Sequence, residues 1–215
     1  MFIKHYFNHI NFQANIGLIS GILFLTALFF ITGDQLLLEK MIHMYRNLTS
    51  NYALPHFLTI LGGGTLAFVT LIILMKQPIS IWIAFTLGWI SVGLLTFMGK
   101  KIFFTNLLRP REIVAAGYLP PDYPVRGGSG MPSGHSAEIT LTILALTSCI
   151  PKNKFWGSFL GILAILVGLS RIILVQHFPS QVIIGLLLGF VSFHFWLSII
   201  LKFMWNRRNK FDINL

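Results

Sequence analysis

Six apolar stretches of 18 to 24 residues follow one another along this chain of 215 residues. A helix needs ~20 apolar residues to cross the hydrocarbon core of a bilayer, so each stretch is long enough to span it. Apolar residue types make up 55% of the chain and charged types only 10%, whereas a soluble domain carries about 25% charged residues. The chain is therefore predicted to be a multi-pass integral membrane protein, with spans at residues 15–32, 58–75, 79–99, 132–150, 155–176 and 182–205.

The connections between these spans differ in length and polarity. Short turns at 76–78 and 151–154 predict two helical hairpins, whereas residues 33–57 form a longer, mixed connection. Within this connection one face of a predicted helix is apolar and consists of Leu37, Met41, Met44, Tyr45 and Leu48. Such a pattern is typical of a helix that lies in the plane of the membrane interface. It equally fits a helix that packs as a lid over the bundle. We expect an all-α fold in one membrane domain, residues 1–215, that is, a six-helix bundle with an interfacial helix between the first two spans.

Charge placement predicts the topology and limits the partners. The chain has 16 basic and 6 acidic residues, an excess that would suggest nucleic acid in a soluble protein. Here many basic residues lie just beyond apolar runs, where anionic headgroups and the positive-inside rule account for them. Lysines and arginines divide evenly between the two sides, but five acids share the side opposite the N-terminus: Asp34, Glu39, Glu112, Asp122 and Glu138. We expect both termini inside, no nucleic-acid partner and no obligate protein partner.

Three polar segments meet at the outer ends of the third, fourth and fifth spans in this topology. In chain order they carry Lys101 and Arg109, then Ser133, Gly134 and His135, then Arg171 and His177. Three cations at one site indicate a multiply charged anion, and arginine's planar fork matches phosphate oxygens. The fourth span begins at Ser133 and Gly134, and the N-terminus of a helix has free N–H groups and the positive end of the helix dipole. Together these features can bind a phosphate.

The two histidines are what a two-step phosphoryl transfer needs. One can attack phosphorus as the nucleophile while the other protonates the leaving oxygen. The sequence has no carboxylate cluster to hold magnesium, so the arginines are expected to neutralise charge in its place. We therefore expect neither a metal nor another cofactor.

In these segments the chain resembles the type 2 phosphatidic acid phosphatase (PAP2) family. That family's pattern is Lys, six residues, Arg-Pro; then Pro-Ser-Gly-His; then Ser-Arg, five residues, His, three residues, Asp. The likeness covers about residues 58–200, including the three glycines at 62–64, and it implies a six-helix core with the site at the outer face. It also implies that His177 is the nucleophile and His135 the general acid, with phosphate bound by Lys101, Arg109, Ser133, Gly134 and Arg171.

Two positions depart from the family pattern. Seven residues rather than six separate Lys101 from Arg109. One extra residue on a helix turns a side chain by ~100°, so Lys101 is displaced from the family position. Lys100 could take its place as the phosphate-binding lysine and is the less favoured candidate. Gln181 stands where the pattern has an Asp that would orient the nucleophilic histidine. A Gln oxygen can still accept from the ring N–H and fix the tautomer, so Gln181 is predicted to support His177. Glu138 is the competing candidate.

These residues predict a metal-independent phosphatase that acts on a membrane lipid phosphate or diphosphate through a phosphohistidine. Candidate substrates are undecaprenyl diphosphate, phosphatidylglycerophosphate, phosphatidate and lipid A phosphates, and the surrounding membrane lipids are its other partners. The same site would serve a lipid phosphotransferase, while Gln181 and the displaced lysine leave open a non-catalytic relative that binds anionic lipid. A transporter is less favoured, because no charged residue lies in mid-helix. We expect a protein of the bacterial inner membrane with its active site on the periplasmic face.

Overall fold

A computed structural model describes residues 11–49, 51–113, 128–149 and 154–212 of the chain. Within these ranges the α-helices are α1 Phe12–Thr32, α2 Asp34–Leu48, α3 Ala53–Leu61, α4 Gly64–Leu74, α5 Ile79–Met98, α6 Gly134–Thr147, α7 Lys154–Ile173 and α8 Pro179–Asp212. A π-helical turn, Gly99–Phe103, extends α5, and a 3₁₀ turn, Pro110–Glu112, follows it. The predicted all-helical fold is confirmed. The predicted turn residues 151–153 and Asp122 lie outside the described residues.

The helices long and apolar enough to cross a bilayer are α1, α5, α7 and α8, among the residues described. The predicted second span is broken into α3 and α4, which meet at Gly62 and Gly63 with a bend of 44° and together make a fifth candidate crossing. The predicted fourth span is represented by α6, whose 14 residues extend only ~21 Å. The structure thus has four or five candidate spans, and a count of six stays a prediction.

Helix α6 lies at the centre of the bundle, where ten of its 14 residues are buried. Helices α5, α7 and α8 pack around it. Gly185 and Gly189 of α8 touch its backbone, because a Cβ at either position would overlap the carbonyl oxygen of Ser133 or Ala137. Small residues four apart allow such a close approach of helices in membranes. This contact holds the second and third turns of α8 against the first turn of α6.

Helix α2 occupies the predicted connection between the first two spans. Its buried side chains are Leu37, Leu38 and Ile42, and Met41 packs against the core. Met44 and Leu48 of the predicted apolar face are instead 61% and 77% exposed. The N-terminal half of α2 therefore packs against the bundle, and the position of the helix in a membrane interface stays a prediction.

Candidate active site

The turn between α7 and α8 determines where His177 lies. The N–H of Gln176 donates to the carbonyl oxygen of Arg171 and that of Val175 to the carbonyl oxygen of Ile172, both at 2.9 Å. This is a Schellman motif with Val175 in the left-handed position at φ +55°, where glycine is usual and a β-branched residue is strained. The N–H of His177 also donates to the carbonyl oxygen of Arg171, at 3.2 Å. The motif therefore holds the histidine and the arginine on one turn.

The side chain of Gln181 orients the imidazole of His177. Its Oε1 lies 3.0 Å from Nδ1 of His177 and accepts from the N–H of Phe178 at 3.3 Å. Its Nε2 donates to the carbonyl oxygen of Leu108 at 2.9 Å, which fixes which end of the amide faces the ring. Because Oε1 can only accept, Nδ1 must carry the proton. The lone pair of His177 is therefore on Nε2, the nitrogen turned away from Gln181.

Two segments that flank residues 114–127 cover this amide. The N–H of Arg109 donates to the carbonyl oxygen of Gly128, and the N–H of Gly130 to that of Leu107, both at 3.0 Å. Gly130 packs directly on Gln181, since a Cβ at this position would overlap the amide oxygen. The absence of a side chain at Gly130 is therefore necessary for the observed position of Gln181.

Two guanidinium groups are buried beside His177. Arg109 is 7% exposed and donates from Nη1 to the carbonyl oxygen of Gln176 at 3.3 Å. Arg171 is 4% exposed and donates from Nη1 to Oγ1 of Thr59 on α3. The planar guanidinium group matches the geometry of phosphate oxygens and can bind them through paired hydrogen bonds. The pair is therefore suited to bind a multiply charged anion.

The protonation state of His177 follows from these surroundings. Burial lowers its pKa well below the usual 6.5, and the charges of Arg171, Arg109 and Lys100 lower it further. The hydrogen bond to Gln181 acts in the opposite direction. The imidazole is therefore neutral at neutral pH, which is the state that a nitrogen nucleophile requires.

The structure brings Lys100, and not Lys101, to this cluster. Lys101 is exposed, whereas the ammonium group of Lys100 lies 3.8 Å from the point that a Cβ on Gly134 would occupy. Both lysines lie in the π-helical turn Gly99–Phe103, in which the N–H of Phe104 donates to the carbonyl oxygen of Gly99, five residues back, at 2.8 Å. A π turn widens the helix by one residue and rotates the side chains that follow. The preference for Lys101 over Lys100 is thus not supported by the position of either side chain.

The start of α6 is held against α8. Ser133 is fully buried, its N–H donates to the carbonyl oxygen of Gln181 at 3.0 Å, and its Oγ accepts from Oγ of Ser136 at 2.9 Å. His135, half-buried, packs against Gly62 at the break between α3 and α4. The first turn of α6 therefore adjoins both the Gln181 turn and the broken helix.

Glu138, the other candidate partner of His177, faces α5. Its carboxylate accepts a hydrogen bond from the indole of Trp89 and interacts with the charge of Lys100. The imidazole Nδ1 of His177 is engaged by Gln181 instead. No group of three or more His, Cys, Asp or Glu side chains within the described ranges is placed to hold a metal ion.

Residues 81–205, more than half of the chain, match the sequence profile of the PAP2 superfamily. The chain belongs to the PAP2 superfamily. The match extends from α5 into α8 and includes all the predicted site residues. Helices α1 to α4 precede it, so α2 and the broken helix pair lie outside the matched part of this PAP2 protein.

Two individual proteins are similar to this PAP2 protein. An undecaprenyl-diphosphatase of Sulfolobus acidocaldarius is 32% identical over 129 residues. The alignment spans 57% of this chain and also 57% of the relative's length. The crystal structure of LpxE from Aquifex aeolicus superimposes with a TM-score of 0.60 at 24% identity, over 68% of this chain and 85% of that one. The structural likeness supports the PAP2 fold.

Sequence reasoning missed two side chains that contact the site from α2 and α3. Thr59 accepts from Arg171, which is 112 residues away along the chain. Asp34 accepts from both the N–H and the Oγ of Ser180, which is 146 residues away. No local motif marks either contact, because each arises only when α2 and α3 pack beside the α7–α8 turn. The signal for Lys100 was present as the irregular spacing before Arg109.

Proposed function

We propose that this PAP2 protein is a phosphatase that removes phosphate from a membrane lipid phosphate or diphosphate, with His177 as the nucleophile. The proposal rests on the imidazole of His177, which is buried beside the guanidinium groups of Arg109 and Arg171 and contacts Oε1 of Gln181 through Nδ1. This contact leaves Nε2 as the basic nitrogen. An imidazole in this state can attack phosphorus, and the cations can stabilise the charge of the transferring group. The similarity to an undecaprenyl-diphosphatase supports a lipid diphosphate as substrate.

In the first step Nε2 of His177 attacks phosphorus and the bond from phosphorus to the leaving oxygen breaks. His135, protonated at the start, donates its proton to that oxygen. The Nδ1–H of His177 keeps its hydrogen bond to Gln181 while positive charge develops on the ring, so the amide oxygen stabilises the phosphohistidine. For a diphosphate the leaving group is the lipid monophosphate.

In the second step water attacks the phosphohistidine and the bond between phosphorus and Nε2 breaks. His135, now neutral, takes the proton of the attacking water and returns to its starting state. Arg109, Arg171 and Lys100 bind the phosphoryl oxygens, and Ser133 and Gly134 at the start of α6 complete the phosphate-binding site. Charge neutralisation by these groups makes the reaction independent of added metal.

The site suits a substrate that stays in the membrane. It lies at the end of the bundle where Asp34 and Glu112 also lie, which is the outer side in the topology with both termini inside. We propose a single six-span domain, with α2 at the interface, that presents its active site on the outer face of the cytoplasmic membrane. A lipid can then bring its phosphate to His177 from the bilayer while its tails stay among the other lipids.

Phosphate release by the purified protein in detergent tests this proposal. The substrates are undecaprenyl diphosphate, phosphatidylglycerophosphate, phosphatidate and lipid A, each assayed with excess chelator. We expect release from at least one lipid at nearly the rate seen without chelator, and inhibition by vanadate. His177→Ala should abolish release, whereas His43→Ala, which removes an exposed histidine of α2, should not. A strict magnesium requirement, or no release from any lipid by the parent, contradicts the proposal.

A further inference from the structure

The first turn of α8 is only partly capped by its own sequence. Phe178 precedes the helix, and its carbonyl oxygen accepts the first intrahelical hydrogen bond, from Val182 at 3.2 Å. Pro179 occupies the first helical position, which suits its fixed φ. The Phe178 side chain has no oxygen to accept from the free N–H groups of this turn, as Ser, Thr, Asp or Asn would.

Gln181 supplies one half of the cap. It is the third helical residue, and its Oε1 accepts from the N–H of Phe178 at 3.3 Å. This is the contact that the third helical residue makes in a capping box. The same oxygen contacts Nδ1 of His177. The conformation of this turn and the orientation of the imidazole therefore depend on one amide.

Asp34 supplies the other half from a different helix. Its Oδ1 accepts from the N–H of Ser180 at 2.8 Å, and its Oδ2 accepts from the Oγ of the same serine. Gly33, at φ +76°, allows the sharp break between α1 and α2 that brings Asp34 to this position. Leu37 and Leu38, about one turn further along α2, are buried and fix the helix there.

We propose that Asp34 is a positioning residue for the PAP2 reaction, acting on His177 through Ser180 and Gln181. It holds the first turn of α8 so that the amide of Gln181 stays directed at Nδ1 of His177. The carboxylate also places a negative charge at the N-terminus of α8, where the helix dipole favours it. Through this contact the docking of α2 determines the orientation of the nucleophile. The inference rests on the proposed function and adds a residue that lies outside the region matched by the superfamily.

The kinetics of Asp34 variants test the inference. Asp34→Ala should lower kcat about five- to tenfold, the change that corresponds to the loss of an N-cap of usual strength, and should leave KM nearly unchanged. Asp34→Asn keeps an accepting oxygen and should recover kcat to within about twofold of the parent. Glu39→Ala, the matched control, removes an acid of the same helix whose carboxylate accepts from Gln35, and it should have the kinetics of the parent.

A double variant separates positioning from general stability. If Asp34 acts through Gln181, Asp34→Ala should have little further effect on kcat in a Gln181→Ala background. Multiplicative effects of the two changes would overturn the inference, as would a parental kcat in Asp34→Ala or a failure of Asp34→Asn to recover it. If Asp34→Ala does not fold, Ser180→Ala is assayed instead, and its kcat should be about two- to threefold below that of the parent. A parental kcat in Ser180→Ala also overturns the inference. An inactive parent would instead contradict the proposed function itself.

Discussion

Replacing Gln181 by alanine removes the group that sets the tautomer of His177. The parent amide makes three contacts: 3.0 Å to Nδ1 of His177, 3.3 Å to the N–H of Phe178 and 2.9 Å to the carbonyl oxygen of Leu108. In Gln181→Ala the Nδ1–H loses its buried acceptor. The imidazole is then free to rotate or to carry its proton on Nε2, and neither state can attack phosphorus.

The size of the effect follows from the contact that is lost. A buried polar group that loses its partner costs about 1–3 kcal/mol, and each 1.4 kcal/mol corresponds to tenfold in rate. We therefore expect kcat to fall about 10–100-fold. The loss should be smaller than the ~10⁴-fold loss for a triad carboxylate, because a neutral amide stabilises an imidazolium less. KM should change little, as for an interaction that strengthens in the transition state.

The assay is steady-state phosphate release in detergent by the parent and by variants matched for amount and thermal stability. Gln181→Asp restores an acceptor and should preserve or raise kcat. Gln77→Ala, in the turn between α4 and α5, is a control for loss of an amide away from the site. The reasoning is refuted if Gln181→Ala is as active as the parent while Glu138→Gln is inactive, since Glu138 would then be the partner of the histidine.

The roles of Lys100, His177 and Gly130 can each be tested by steady-state kinetics. Lys100→Ala should lower kcat/KM about 10-fold or more, because a charge-assisted contact to phosphate is lost. Lys101→Ala should stay within about twofold of the parent. Equal effects of the two changes would contradict the proposal that Lys100 binds the phosphate. The fall of kcat/KM on the acid side of the pH profile should lie below pH 6.5, because the lowered pKa of His177 keeps the imidazole neutral down to that range. Gln181→Asp should move this fall to higher pH, because a carboxylate favours the imidazolium and raises the pKa of His177. Gly130→Ala should reproduce the kinetics of Gln181→Ala, because its Cβ displaces the Gln181 amide.

The sequence predicted the helical elements because apolar length is a local property. The runs that became α1, α5, α7 and α8 were identified from composition alone, since a bilayer requires apolar stretches of that length. The division of the second run into α3 and α4 was not predicted, although three glycines mark the place. Glycine permits a break but does not dictate a bend of 44°; that depends on packing against α6 and α7. The burial of α6 on most sides likewise depends on its neighbours.

In the candidate site, too, local motifs predicted some features and tertiary packing determined others. The motifs placed His177, Gln181, Arg109 and Arg171 at one site, and these residues lie together in the structure. The catalytic and phosphate-binding roles given to them stay predictions. The position of the lysine differs from expectation, because spacing along a regular helix does not anticipate a π turn at Gly99–Phe103. The contribution of Asp34 is non-local, and only the packed structure reveals it. Spacing therefore identified the residues within motifs, while tertiary packing determined which neighbours support them.

Trapping the phosphorylated protein tests most directly whether His177 is the nucleophile. The parent, mixed rapidly with a lipid diphosphate labelled in its terminal phosphate and quenched in alkali, should carry label that is stable to base and lost in acid, as a phosphohistidine is. His177→Ala, shown to be folded and inserted in membranes, should carry none, and peptide mapping of the parent should place the label on His177. Label that persists in His177→Ala, or that maps to His135 in the parent, would show that His177 is not the nucleophile.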